Sequence, residues 1–185
     1  MRTLTLSFTL ALLVACAPPY TFHGTLIETP LTAPDFILRD QHNQTFQLSR
    51  QTGHVVLVFF GYTDCPDACP AALSQFQRIH ERLGKQADQV RFVMITVDPE
   101  RDTPERLGEF VGGFDPDFLG LTGPSADLFP VWRAYGVDPN PRLNTLDLDH
   151  ETRFYAIDPA GNLRLTFSSA SPVAETVEDL QHLLP

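Results

Sequence analysis

The hydrophobic residues of this chain fall into uninterrupted runs and into helically spaced sets. Residues 54–60 and 91–97 are rich in valine and other large apolar residues without polar alternation, which predicts two strands buried on both faces of a sheet. Between them, apolar positions recur at helical spacing over residues 72–83, and Gly84 is a typical helix end. The central part of the chain is therefore predicted to alternate strand and helix.

Shorter patterns predict the remaining elements. The segments 36–38 and 46–48 flank a polar turn, which predicts a small β-hairpin. Thr103 is a capping residue followed by proline and glutamate, so a helix is expected to start there after a strand-ending turn in which Arg101 pairs locally. The other predicted elements are a short strand near 118–119, a helix over 125–135, strands over 153–157 and 162–167, and a last helix over 172–184.

This order of elements indicates the fold class. Strands that alternate with helices predict a largely parallel sheet covered on both faces. Two thiols at the end of the first central strand make the thioredoxin-like α/β fold the simplest answer, with a central mixed sheet flanked by helices and an added N-terminal β-hairpin. Residues 136–149 contain prolines, asparagines and aspartates and are expected to form a long exposed loop.

The N-terminal residues resemble a targeting segment. Leu4 to Val14 is almost wholly apolar, too short to span a bilayer, and followed by Ala15-Cys16 in the pattern of a bacterial lipoprotein cleavage site. The alternative is an ordinary secretory leader with an incidental cysteine. We expect a signal peptide over 1–15, a lipidated linker over 16–32 that starts at Cys16, and one domain over 33–185.

The expected location follows from that leader. Either kind of leader places the mature chain outside the cytoplasm, where disulfides can persist. Lipid on Cys16 would anchor the chain stably to the outer face of the bacterial cytoplasmic membrane. The formal net charge is −10 and no basic stripe is present, so nucleic acid is not an expected partner.

The segment Cys65-Pro66-Asp67-Ala68-Cys69-Pro70 contains the two cysteines of the predicted domain over residues 33–185. Thiols between a strand and a helix suit redox chemistry or a soft metal. Proline is well tolerated at the first helical position, so we expect the helix to begin at Pro70, with Cys69 as cap residue and as the favoured thiolate. The structural alternative is a static disulfide, which would add little stability because the loop is short.

The number of thiols bears on which metal could bind. Structural zinc sites and iron–sulfur clusters use four ligands, whereas copper(I) accepts two sulfurs and one imidazole. Among the six histidines, His150 is favoured because it ends the long acidic loop and precedes a strand, and α/β sheets gather functional groups at strand ends. The others lie in less suitable places, namely His23, His42, His54, His80 and His182.

Three separated segments resemble the Sco/SenC family. They are residues 60–70 around the two cysteines, residues 97–105 (Val-Asp-Pro-Glu-Arg-Asp-Thr-Pro-Glu), and Asp149-His150 followed by residues 154–161. The resemblance covers residues 32–184. One departure is Asp64, where many members carry a histidine, although that position is not a ligand in the family.

The resemblance implies a membrane-tethered thioredoxin-like domain that binds one copper, as Cu(I), Cu(II) or both, through Cys65, Cys69 and His150. Family members help to assemble the dinuclear copper centre in subunit II of cytochrome c oxidase. The expected partners are therefore the copper domain of that subunit, the membrane, and another copper chaperone or thioredoxin-like reductant of the cell envelope.

Two functions remain open at this point. The first is a copper metallochaperone rather than an enzyme. The second is a thiol–disulfide oxidoreductase that keeps the cysteines of subunit II reduced, with Cys65 and Cys69 as catalytic thiols. A peroxidase of the peroxiredoxin type is disfavoured, because the positions of Phe59 and Thr63 do not match Pro-x-x-x-Thr-x-x-Cys around the reactive thiol.

Overall fold

The computed structural model describes residues 20–137 and 152–185, which form eight β-strands and four α-helices. Cys16 and His150 lie outside these ranges. The strands are β1 (Thr25–Thr32), β2 (Ile37–Arg39), β3 (Thr45–Gln47), β4 (Val55–Gly61), β5 (Val90–Thr96), β6 (Leu119–Leu121), β7 (Arg153–Ile157) and β8 (Asn162–Ser168). The helices are α1 (Ala68–Leu83), α2 (Pro104–Gly112), α3 (Ser125–Ala134) and α4 (Val173–Leu183). No helix in the described ranges combines the length and the apolar character needed to cross a bilayer.

Six strands form one sheet in the order β1-β8-β7-β4-β5-β6, and β2 with β3 forms a separate hairpin. The pairs β4–β5 and β5–β6 are parallel, whereas β4–β7, β7–β8 and β1–β8 are antiparallel. The mixed sheet flanked by helices confirms the thioredoxin-like fold and its added hairpin. The parallel share is smaller than strand–helix alternation suggests, because the tight turn between β7 and β8 requires antiparallel pairing.

Strand β4 lies in the middle of the sheet, and its residues Val55–Phe59 are at most 1% exposed. Its side chains alternate between two hydrophobic cores. Leu57 and Phe59 pack with α1 and α4, whereas Val56 and Val58 pack with α3 and the hairpin. The predicted strand with two buried faces is therefore confirmed, and it supports the loop that follows it from both sides.

The structure differs from the predicted linker in residues 25–32, which form strand β1 at the edge of the sheet. Its register against β8 shifts between Leu26 and Leu31, which removes the regular alternation that identifies a strand. Proline in the sequence also lowers the strand signal, although an edge strand tolerates it. Part of the predicted linker thus belongs to the folded domain.

Buried Asp179 on α4 holds the residues before β1. Its carboxylate accepts hydrogen bonds from the Tyr20 hydroxyl at 2.8 Å and from the backbone N–H groups of His23 and Gly24 at 3.0 and 2.8 Å. These bonds satisfy a carboxylate that is 0% exposed. The chain is therefore attached to the domain from Tyr20 onward.

Candidate metal centre

The two cysteines lie where β4 passes into α1. Strand β4 ends at Gly61, and the connection that carries Cys65 leads to α1, whose second residue is Cys69. The backbone N–H of Cys65 donates to the Tyr62 carbonyl at 3.3 Å, which makes a tight turn. Both cysteines are buried, and both are free thiols.

The sulfur of Cys65 lies at the start of α1. The backbone N–H of Cys69 donates to Cys65 Sγ at 3.2 Å. A hydrogen bond from the Cys69 thiol, together with the N–H groups of Cys69, Asp67 and Ala68, lowers the pKa of Cys65 to about 6, although burial opposes the shift. The same thiol–thiol bond and burial raise the pKa of Cys69. At neutral pH the pair therefore holds one thiolate, at Cys65, and one proton, at Cys69.

This arrangement corrects two details of the sequence prediction. The helix begins at Ala68 with Asp67 as its cap residue, so Pro70 occupies the third helical position rather than the first. Proline fits there because the first four N–H groups of a helix have no intrahelical partner. As a result, the end of the helix points its N–H groups at Cys65 Sγ, and Cys65 rather than Cys69 is the favoured thiolate.

Gly61 makes room for the Cys69 sulfur. A Cβ atom built on Gly61 would lie 2.8 Å from Cys69 Sγ and 2.8 Å from Cε2 of Phe59, closer than such atoms normally approach. Only glycine at the end of β4 lets the buried thiol sit directly above the strand. The sequence showed this glycine only as a break after the strand.

The segment between β5 and α2 lies against the cysteine loop. Arg106 contacts Asp64 at 2.6 Å and Arg101 contacts it at 3.4 Å. Arg101 also pairs with Asp98, as the sequence predicts, and its contact with Asp64 extends that pairing to the cysteine loop. Thr103 caps α2 as predicted, since its hydroxyl accepts a hydrogen bond from the N–H of Arg106. Such exposed ion pairs contribute little stability individually, but they identify two segments that meet beside the thiols.

A buried carboxylate joins the same two segments and was missed by sequence reasoning. Asp102 is 1% exposed, and its carboxylate accepts hydrogen bonds from the Thr63 hydroxyl at 2.5 Å and the Thr96 hydroxyl at 2.6 Å. The sequence pattern around Asp102 predicts only a turn residue before a capped helix. Its one available signal was its place in the family-like segment 97–105.

Five of the six histidines lie within the described residues. His54 precedes β4 at the end of the sheet opposite Gly61 and contacts Arg91 at 2.8 Å. His182 stacks on Tyr20, His23 lies 3.4 Å from Glu178, and His42 lies in the turn between β2 and β3. His150 is the sixth, and it lies outside the described residues.

His80 belongs to a separate cluster with Asp115 and Asp117, whose ligand-type atoms lie within 4.8 Å of one another. Eleven residues of helix separate it from Cys69, which is about 16 Å along α1. Its Nδ1 lies 3.1 Å from an Asp115 oxygen. His80 is therefore not a candidate third ligand for the two thiols.

Known proteins are similar to this chain in both sequence and fold. The family model described as SCO1/SenC matches residues 25–185. A SCO2-like protein of Rickettsia conorii is 37% identical over 156 residues, covering 80% of this chain and 75% of that protein. The apo Sco1 protein of Thermus thermophilus is 32% identical with a TM-score of 0.73, over 89% of this chain and 98% of the other.

A further solved relative was determined with metal. The copper-bound ScoI of Bradyrhizobium japonicum is 30% identical, with a TM-score of 0.70 over 83% of this chain and all of that chain. The matched range of the family model includes the cysteine loop, the segment between β5 and α2, and the start of β7. The chain therefore belongs to the SCO1/SenC family.

Proposed function

We propose that this chain is a copper metallochaperone that binds one copper ion through Cys65, Cys69 and His150 and passes it to the dinuclear copper centre of cytochrome c oxidase subunit II. The observation that carries the proposal is the pair of buried thiols held together at the start of α1. The copper-bound structure of a relative that is 30% identical supports the choice of metal.

The chemistry of the two sulfurs fits copper. Soft thiolates select copper(I), zinc or iron–sulfur clusters, and the latter two usually take four protein ligands. The described residues place two cysteines and no histidine at this site, so one imidazole from elsewhere would complete a three-ligand copper site. Because Cys69 keeps its proton at neutral pH, copper binding to both thiolates should release that proton.

The pairing of β7 supports His150 as the third ligand. Val58 on β4 pairs with Tyr155 on β7, and the two strands are antiparallel. The first residues of β7 therefore lie beside the last residues of β4, at the end of the sheet where the cysteine loop begins. His150 precedes Arg153, the first residue of β7, by three positions. Three residues span at most about 11 Å, and this short reach from the start of β7 supports the choice of His150 as the third ligand.

We also propose that lipid on Cys16 holds the domain at the outer face of the cytoplasmic membrane. The hydrogen bonds to Asp179 attach the chain from Tyr20 onward, which leaves four residues between the lipid and the fold. Four residues span at most about 14 Å, so the domain would stay close to the membrane surface. A Cys16→Ser variant should then appear in the soluble fraction of the cell envelope.

A thiol–disulfide reductase of subunit II is the second candidate, and the asymmetry of the two thiols favours it. Cys65, whose lowered pKa makes it the better nucleophile, could attack a disulfide, and buried Cys69 could resolve the mixed disulfide. The copper proposal differs from this one in requiring His150.

A transfer experiment distinguishes the two functions. In one mixture the copper(I)-loaded protein meets the reduced apo copper domain of an oxidase subunit II. In a second mixture the reduced copper-free protein meets the disulfide form of that domain. The metal content and thiol state of each protein are measured after separation. Movement of copper in the first mixture supports the metallochaperone. Reduction of the domain's disulfide with matching oxidation of Cys65 and Cys69 in the second mixture, and no copper movement in the first, supports the reductase. His150→Ala should abolish the first outcome, and unchanged copper binding and transfer by that variant would contradict the proposed ligand set.

A further inference from the structure

Asp102 is a buried carboxylate with neutral hydrogen-bond donors around it. One oxygen accepts from the Thr63 hydroxyl at 2.5 Å and the other from the Thr96 hydroxyl at 2.6 Å. The backbone N–H of Thr63 lies 3.2 and 3.3 Å from the two oxygens. Across residues 20–137 and 152–185, no lysine, arginine or histidine forms an ion pair with it, since the neighbouring Arg101 and Arg106 pair with other carboxylates.

A buried charge of this kind restricts the groups around it. Burial of a carboxylate is unfavourable unless hydrogen bonds replace its lost hydration, and bonds to an ionised acceptor are stronger than neutral ones. Rotation of Thr63 away from Asp102 would remove two of these bonds at once. The position of Thr63 is therefore fixed relative to Asp102.

Asp102 is in turn fixed to the scaffold. Its backbone N–H donates to the Asp98 carbonyl at 2.9 Å, and one carboxylate oxygen accepts from the Thr96 hydroxyl at 2.6 Å. Thr96 is the last residue of β5 and pairs with Gly61 in the parallel ladder. The carboxylate thus ties the cysteine loop to the ends of the two central strands.

We propose that Asp102 is a positioning residue that sets where the Cys65 sulfur lies, acting through Thr63. Thr63 precedes Cys65 by two residues, and the Cys65 sulfur is held on its other side by the N–H of Cys69. The bond to Asp102 fixes the start of this turn, so the Cys65 sulfur is held beside Cys69 before any metal binds. The proposal rests on the copper function above, because the position of the Cys65 sulfur relative to Cys69 matters most when both sulfurs bind one metal ion.

Loss of this contact should weaken copper binding. Removal of a group that orients metal ligands from outside the coordination shell typically costs about 10–100-fold in metal affinity. The Thr63 hydroxyl is the better test position, because changing Asp102 itself removes several buried bonds and endangers folding. Thr63→Val deletes the hydroxyl at nearly constant volume, and Thr63→Ser keeps it.

Thr122→Val is the matched control. It removes a similar hydroxyl that bonds to the backbone carbonyl of Asp102 rather than to its carboxylate. Thr122 is buried and Thr63 is half-buried, so the control removes a hydroxyl from a position that is at least as enclosed. A purely structural role of the Thr63 hydroxyl would lower the melting temperature without changing the copper dissociation constant of the folded protein.

The experiment compares the intact protein with these three variants at a temperature where all are folded. Copper affinity is measured by competition with a chelator, and the thiolate-to-copper(II) absorption is recorded for each protein. Thr63→Val should bind about 10–100-fold more weakly with a shifted absorption band. Thr63→Ser and Thr122→Val should have the copper affinity and the absorption band of the unmodified protein. Equal affinity and an unchanged band in Thr63→Val, or an equal loss in Thr122→Val, would overturn the proposal.

A second readout separates this proposal from the copper function itself. The equilibrium between the Cys65–Cys69 dithiol and disulfide is measured for the same proteins in glutathione buffers, and it needs no metal. If the unmodified protein binds no copper, the proposed copper function fails. The positioning role then stands only if Thr63→Val changes the dithiol–disulfide equilibrium and the two other variants do not, and it is refuted if all four proteins agree.

Discussion

Replacing Gly61 with alanine places a methyl group in the space that the Cys69 sulfur occupies. The new Cβ would lie 2.8 Å from Cys69 Sγ and 2.8 Å from the Phe59 ring, whereas favourable contacts between such atoms are about 3.5–4.0 Å. The sulfur and the ring must therefore both move by about 1 Å relative to the new Cβ. Both are buried, so neither can turn into solvent.

The expected cost follows from overpacking of a buried position. Added carbon in a well-packed core destabilises by about 1–3 kcal/mol, and each kcal/mol lowers the melting temperature of a domain of this size by about 2–4 °C. A functional site tolerates displacements of only about 0.5 Å, so a shift of the Cys69 sulfur should also weaken copper binding. Thermal unfolding and a chelator-competition titration measure the two effects.

Gly112→Ala is the matched control for this substitution. Gly112 ends α2, and a Cβ there would meet no atom within 4 Å. Alanine at a compatible backbone position stabilises by about 0.4–1 kcal/mol, so the melting temperature should stay or rise. A Gly61→Ala protein with the same melting temperature and copper affinity as the unmodified protein would show that Gly61 is not needed to accommodate the Cys69 sulfur.

Three further predictions concern other parts of the structure. In the reduced metal-free protein the alkylation rate of Cys65 should rise with pH to a plateau with its midpoint near 6, because the Cys69 thiol and the backbone N–H groups lower its pKa from the ordinary value of 9.0. A midpoint near 9 in mass-spectrometric rate measurements would contradict this prediction. Thr103→Ala removes the hydroxyl that caps α2, so it should lower the free energy of unfolding by about 1 kcal/mol in denaturant titrations. An unchanged unfolding midpoint would show that the cap is dispensable. Asp179→Ala should release residues 20–24, because the Tyr20 hydroxyl and two backbone N–H groups lose their acceptor, at a cost of about 0.5–1.5 kcal/mol per lost hydrogen bond. Unchanged hydrogen exchange in that segment would count against the role of Asp179.

The sequence predicts the elements whose signals are local. The apolar runs of β4 and β5 identify two buried strands, and the Thr103 cap with its following proline marks the start of α2. Each of these signals lies within a few consecutive residues. The same holds for the hairpin of β2 and β3, whose turn residues separate two short apolar segments.

The features that sequence reasoning missed depend on partners distant in the chain. Strand β1 forms because it pairs with β8. Its register shift interrupts the alternation of polar and apolar residues that would identify a strand in the sequence. The start of α1 was placed two residues late, because proline is tolerated at any of the first helical positions. Asp102 bonds to Thr63, which lies 39 positions earlier, and no local pattern reveals such a pair.

The preferred thiolate also depended on geometry beyond the local motif. The helix dipole favours a thiolate at the start of α1, and the sequence assigned that place to Cys69. In the fold, the N–H groups of the first turn point at the sulfur of Cys65, and Cys69 is buried against Gly61. The motif therefore identified the pair of thiols, and the position of the helix start decided which of them ionises.

The most direct test of the proposed copper site is X-ray absorption spectroscopy of the copper(I)-loaded reduced protein. We expect one copper per chain with sulfur scatterers from Cys65 and Cys69 and a nitrogen scatterer with imidazole features from His150, the last of which should vanish in His150→Ala. A spectrum without an imidazole contribution, or one that His150→Ala leaves unchanged, would contradict the proposed ligand set.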